Sequence, residues 1–293
     1  MNNQNIIASL RSALSNRVLT LDGSMGVMLQ RLRLSDSETK GRRFMTHPYP
    51  LAGDFDVLCL SRPELVAEVH KKYLEAGADI IETNTFNSNS LSQARYGLSD
   101  RVEEMNIAGA RLARSEADRF MSENQGKRCF VAGSMGPTGM AASLSSDVND
   151  PAARSIDFMD LAHAFEEQAK GLIKGGVDFL LVETVFDLLN AKAAVFGINR
   201  ARKELNSETP FVLSITVSEI SGRILSGHTI EAFVTAMFSF NPLAMGINCS
   251  AGPDKLAPFL RELTAVSLFP VIFYPNAGHP DELGNYAQTP EIF

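Results

Sequence analysis

Polar residues able to do chemistry close a series of short apolar runs: Asp22, Glu82 with Asn84, Glu183 with Thr184, Asn248 with Cys249, and Asn276. Carboxylates there can hold an ammonium or move a proton, and a cysteine can serve as nucleophile or metal ligand. Glycines at 23, 26, 133 and 136 let backbone approach a small ligand closely. A polar strand end also satisfies loop backbone, a sufficient reason for any one of these residues. Several such ends converging on one mouth favour a site.

Cys249 follows Gly-Ile-Asn and precedes Ser-Ala-Gly-Pro. A nucleophilic cysteine wants a neighbouring histidine base, and spacing places neither His228 nor His279 beside it. A catalytic zinc takes about three protein ligands, and no H-E-x-x-H or C-x-x-C motif is present. On the residues alone both chemistries stay open. Cys59, in a loop, and Cys129, at a strand start, read as small buried hydrophobes. His70 and His163 lie inside amphipathic helical patterns, and His47 lies in a His-Pro-Tyr-Pro loop, so all three read as structural. No lysine falls at a strand's C-terminal end, which argues against Schiff-base chemistry.

The elements that must position these groups are strands at 18–22, 79–83, 129–133, 179–183, 211–217, 244–248 and 271–274. Runs that are apolar throughout suit strands buried on both faces of a parallel sheet. Helical periodicity covers 6–14, 63–76 with Ser61 as N-cap, 101–122, 158–174, 188–205, 229–240 and 253–266. Gly77, and then Gly175 with Gly176, follow the last apolar helical positions, as helix stops do. The stretch at 77–86 echoes 176–186, and Gly-Ser-Met-Gly occurs at both 23–26 and 133–136, as repeated βα units would produce.

Strand–helix alternation without a Pro- or Ser-rich linker predicts an α/β fold and one domain over residues 1–293. The first strand is not followed by G-x-G-x-x-G, so a (β/α)₈ TIM-type barrel fits better than a doubly wound sheet. Seven strands are counted, and an eighth would begin beyond Phe293. The expectation is therefore an incomplete barrel, its eighth strand missing, cut inside its last repeat where Thr289 and Pro290 read as a helix start.

Composition narrows the class. The 293 residues are 45% hydrophobic and 21% charged, ordinary for a globular chain that buries its own core. A net charge of −7 argues against nucleic-acid binding, which needs a basic face. Three scattered cysteines do not make a secreted disulfide framework. The sequence shows neither a signal peptide nor a membrane-length apolar run, so a cytoplasmic location is expected.

Five segments carry a resemblance: Leu-Asp-Gly-Ser-Met-Gly (21–26), Glu-Ala-Gly-Ala-Asp-Ile-Ile-Glu-Thr-Asn-Thr-Phe (75–86), Asp-Val-Asn-Asp-Pro (147–151), Glu-Thr-Val-Phe-Asp-Leu-Leu-Asn-Ala-Lys-Ala-Ala (183–194) and Gly-Ile-Asn-Cys-Ser-Ala-Gly-Pro (246–253). Together they resemble the homocysteine S-methyltransferase family, and the 75–86 and 183–194 segments look most like the homocysteine-binding module of cobalamin-dependent methionine synthases. The resemblance implies a (β/α)₈ barrel with zinc on three thiolates. Cys249 matches the thiolate after the sixth strand, and the adjacent cysteine pair expected after the eighth strand is absent from this sequence. It also implies that Asp22 and Glu183 help form the homocysteine site. Glu183 suits the substrate ammonium, and the turn at Gly23 can offer backbone N–H groups to its carboxylate. Asn248 is expected at the same mouth.

The implied function is activation of the homocysteine thiolate for methyl transfer from methylcobalamin, ultimately from 5-methyltetrahydrofolate, to give methionine. Cobalamin and folate would be bound by partner modules outside this chain. Two alternatives are a methyltransferase using betaine or S-methylmethionine, and a non-catalytic, zinc-free fragment. By itself residues 1–293 are expected to be inactive, with neither nucleic acid nor membrane as partner.

Overall fold

The computed structural model describes residues 3–278 and 288–289. Its strands are β1 (Ile80–Glu82), β2 (Phe130–Met135), β3 (Phe179–Val185), β4 (Phe211–Ile215), β5 (Ala244–Cys249) and β6 (Val271–Pro275). Their order in the sheet is β1-β2-β3-β4-β5-β6, and the pairs β1–β2, β4–β5 and β5–β6 run parallel. A doubly wound sheet reverses its order at a switch point, whereas successive βα units in a barrel keep it. The α/β class and the barrel-type order thus agree with the sequence. The expected eighth strand, like the helix start at Pro290, lies outside the described residues.

The expected first strand, 18–22, is reduced to a single parallel bridge between Leu21 and Ile80. Thr20 O accepts the N–H groups of Asp79 and Ile80, and Asp22 N–H donates to Ile80 O at 2.9 Å. Val18 and Thr20 are exposed and the rest of the run is only partly covered. Ser61 is not a helix N-cap: it ends the short helix Leu58–Ser61, and its hydroxyl donates back to Val57 O. Arg62 takes the cap position of Pro63–Glu75. The helices Leu188–Leu205 and Pro253–Val266 match their predicted limits.

Residue contacts divide the chain into two compact units: Met1–Thr138, His163–Leu180 and Gly197–Pro210 form the first, and Gly139–Ala162, Leu181–Phe196 and Phe211–Phe293 the second. In the first unit, helix Pro63–Glu75 packs along Val102–Glu123 over an apolar cluster that includes Leu29, Leu58, Cys59, Val66 and Val69. Two aspartates anchor neighbouring strands. Asp79 accepts the Thr20 N–H at 2.9 Å and pairs with Arg17, and Asp178 accepts the Val131 N–H at 2.7 Å and pairs with Arg114 at 2.8 Å. They occupy matching places in the two echoed segments.

The second unit carries β4, β5 and β6. Every residue of β4 is buried, whereas every residue of β6 is only partly covered, consistent with its place at the end of the strand order. Asp187, fully buried, caps helix Leu188–Leu205 by accepting the Leu189 N–H at 2.7 Å. Its other oxygen accepts from Ser143 N–H and O–H, and Asn190 grips Met140 O and Ala142 N–H. The Asp-Leu-Leu-Asn stretch within 183–194 therefore fastens the 140–143 loop to the helix that follows β3.

Candidate functional site

The apolar run Phe-Leu-Leu-Val makes β3 a buried strand and delivers Glu183 near its C-terminal end with only 5% of its surface exposed. An ionised carboxylate is costly to bury without partners. The Tyr274 hydroxyl of β6 donates to Glu183 Oε2 at 3.3 Å. Immediately after Glu183 the backbone turns left-handed at Thr184 (φ 55°), and β5 ends the same way at Cys249 (φ 59°) and Ser250 (φ 69°). Left-handed φ is unusual for residues other than glycine and is worst for a β-branched one. Such residues cost about 1–3 kcal/mol each and persist where surrounding contacts over-determine them, often at functional sites.

Asn248 supplies those contacts. Its Oδ1 accepts from Thr184 N–H at 3.0 Å and from the Ser214 hydroxyl at 2.7 Å. Its Nδ2 donates to Thr184 Oγ1 at 2.8 Å and to Cys249 Sγ at 3.3 Å. The Cys249 sulfur also lies 3.7 Å from Thr184 Oγ1. Burial pushes the Cys249 thiol up from its ordinary value, and the Glu183 charge adds to the rise; the contacts from Thr184 and Asn248 pull the other way. A thiol so placed stays protonated at neutral pH unless a cation or base intervenes.

The expected site residues fall into two groups. Glu183, Asn248 and Cys249 come together in the second unit, with Thr184. Asp22 and Gly23 belong to the first unit, where Asp22 Oδ2 accepts the Glu82 N–H at 3.0 Å. A Cβ at position 23 would lie 2.8 Å from the Tyr73 ring, so the glycine leaves room for that ring. Asn84 is spent on structure, donating to Phe55 O at 2.7 Å. Asn276 ties β6 to the Cys249 loop through its N–H to Ala251 O. Sequence reasoning missed Ser214 and Tyr274; the signal for both is a lone hydroxyl in an otherwise apolar strand run.

The other candidate groups have local partners. Cys59 is buried with its thiol 3.2 Å from Asn84 O, and burial raises its pKa strongly. Cys129 is buried in the first unit as well. His228 Nδ1 contacts Ser226 Oγ at 3.0 Å and His47 Nε2 contacts Tyr96 O at 2.7 Å; His279 lies outside the described residues.

A model of the family described as homocysteine S-methyltransferase matches residues 19–293. The chain belongs to that family. It is therefore a homocysteine S-methyltransferase-type domain, and the strand ends that hold Glu183 and Cys249 lie within the matched region. The chain is also similar to crystal structures of the homocysteine methyltransferase MmuM from Escherichia coli. The metallated form has a TM-score of 0.73 at 22% identity over 92% of this chain and 87% of that one. The oxidized form has a TM-score of 0.72 at 21% identity over 91% and 85%. At these identities the likeness establishes the shared fold.

Zinc on three thiolates, which the family resemblance implies, does not fit the residues described. Cys249 offers one sulfur, Cys59 and Cys129 are occupied in the other unit, and no group of three His, Cys, Asp or Glu side chains suited to a metal occurs among the described residues.

Proposed function

We infer that the chain binds homocysteine at the ends of β3, β5 and β6 and serves as the homocysteine module of a cobalamin-dependent methionine synthase. The supporting observation is the buried Glu183 carboxylate, oriented by Tyr274, in the same network as Cys249. A substrate ammonium reaching Glu183 would form a charge-assisted hydrogen bond in a water-poor setting, where such bonds are strong. The substrate sulfur must lose its proton before it can bond to a methyl carbon while the methyl leaves its donor. Asp22 and the N–H groups after Gly23 are assigned to the amino acid by the resemblance alone, as is Cys249 to zinc. A three-thiolate zinc site would need two donors besides Cys249.

In this reading methylcobalamin is the methyl donor and 5-methyltetrahydrofolate its source, both held by modules other than residues 1–293, which act as one barrel domain in the cytoplasm. Three free cysteines suit that compartment. The matches at 147–151 and 183–194 favour cobalamin over betaine or S-methylmethionine as donor.

Titration calorimetry with homocysteine tests the reading. Glu183→Gln is expected to weaken binding by about 1.5–3 kcal/mol, the range for hydrogen bonds to charged groups. Equal affinity in variant and parent removes Glu183 from the site. A parent chain that does not bind homocysteine favours the non-catalytic alternative. Supplying methylcobalamin, betaine and S-methylmethionine in turn to the assembled enzyme separates the donors.

A further inference from the structure

We propose that Asn248 is a positioning residue that locks the Glu183–Thr184 corner and the Cys249 side chain into one geometry, and that it does not touch the substrate. A primary amide has two acceptor lone pairs and two donor hydrogens. All four are spent inside the protein: Oδ1 on Thr184 N–H and the Ser214 hydroxyl, Nδ2 on Thr184 Oγ1 and Cys249 Sγ. The amide cannot be turned over, because Thr184 N–H only donates and must face an oxygen. Asn248 is also completely buried. That inventory replaces the expectation of a direct substrate contact, since no hydrogen-bonding position is left for homocysteine.

What the four bonds do follows from where they land. They reach β3 at Thr184, β4 at Ser214 and the end of β5 at Cys249, so one side chain ties three strand ends together. Two of its partners, Thr184 and Cys249, have the left-handed backbone that side chains disfavour. The bond to Thr184 N–H holds the peptide that leaves Glu183, and so sets the direction from which the carboxylate projects. Ser214, fully buried, anchors the amide through Oδ1 and is not among the partners described for Glu183 or Cys249.

The role assumes the homocysteine site proposed above, so the test has one arm that does not depend on it. Asn248→Ala and Ser214→Ala are compared with the parent chain by homocysteine calorimetry and by the iodoacetamide alkylation rate of Cys249. The rate is read by mass spectrometry at one pH, with buried Cys59 and Cys129 as internal references. Asn248→Ala is expected to weaken homocysteine binding about tenfold and to shift the alkylation rate about fivefold. Ser214→Ala should move both readouts in the same direction by a smaller factor, about twofold to threefold. If Asn248→Ala does not fold, Ser214→Ala decides.

Loss of affinity with unchanged alkylation and a silent Ser214→Ala would mean that Asn248 contacts substrate, and would overturn the proposal. A lower melting temperature with both readouts unmoved would mean a purely structural role, and would also overturn it. If the parent chain fails to bind homocysteine, the functional reading falls, and the alkylation arm still decides the positioning role.

Discussion

The Tyr274 hydroxyl donates to Glu183 Oε2 at 3.3 Å, joining side chains 91 residues apart. The distance is long for an O–H···O bond, so its worth sits at the low end for a hydrogen bond. Tyr274→Phe is expected to weaken homocysteine binding by about 0.5 kcal/mol, roughly twofold, while Glu183→Gln costs several times more. Calorimetry on both variants checks this ordering. A Tyr274→Phe effect as large as that of Glu183→Gln would mean that the phenol itself contacts the ligand.

Asp178 and Asp79 perform the same anchoring task in different surroundings, and the surroundings set the cost of losing them. Asp178 and Arg114 have side chains 7% and 19% exposed, whereas the Arg17 that meets Asp79 is 57% exposed. Breaking a buried pair leaves an uncompensated charge and typically costs 3–5 kcal/mol. Asp178→Ala is expected near the lower limit, about 3 kcal/mol, because Asp118 also meets Arg114 at 2.9 Å. Asp79→Ala should cost about 1 kcal/mol, as a solvent-screened pair does. Urea unfolding of the two variants gives the comparison, and equal losses would contradict it.

Three buried titratable groups are expected to make stability fall from about pH 4 towards neutral pH, with His70 opposing the two aspartates. Burial raises the Asp54 carboxyl from 3.8 to about 6, and burial together with the charge of Asp54 raises Asp56 to about 7. Gln93 Nε2 donates to Asp54 Oδ1 at 3.2 Å, while Asp54 Oδ2 and Gln93 Oε1 have no hydrogen-bond partner among the described residues. A proton on Asp54 Oδ2 turns that unpaired acceptor into a donor and removes a buried charge. With both folded pKa values raised, the favourable contribution is complete below about pH 4 and is lost as the pH rises through about 6 to 7. His70 works in the opposite sense: burial lowers it from 6.5 to about 4, so its contribution is lost as the pH falls across that interval. Asp54→Asn, which mimics the neutral acid, should flatten the alkaline decline and add up to about 3 kcal/mol at pH 8. His70→Leu should remove the opposing gain and steepen the decline between about pH 4 and 6.5. Urea unfolding at a series of pH values reads both, and slopes unchanged from the parent would refute the assignments.

By itself the sequence determined six of the seven expected strands, most helices and which residues would lie near strand ends. The runs ending at Glu183 and Asn248 read as buried strands because both their faces are apolar, and the helix at Leu188–Leu205 shows its own period. Family motifs placed Glu183 and Cys249 at one mouth, and the structure brings them into one network. The tertiary structure alone decided which hydroxyls complete that network. Ser214 lies 34 residues from Asn248 and Tyr274 lies 91 from Glu183, separations that no local periodicity records. It also decided the left-handed turn at Thr184, which runs against the preference of a β-branched residue. Local propensity weighs only a residue's own backbone and side chain, whereas this conformation is held by an amide from another strand. The first strand failed for a related reason: an apolar run forms ladder only where a neighbour covers it, and exposed Val18 lies at the start of that run.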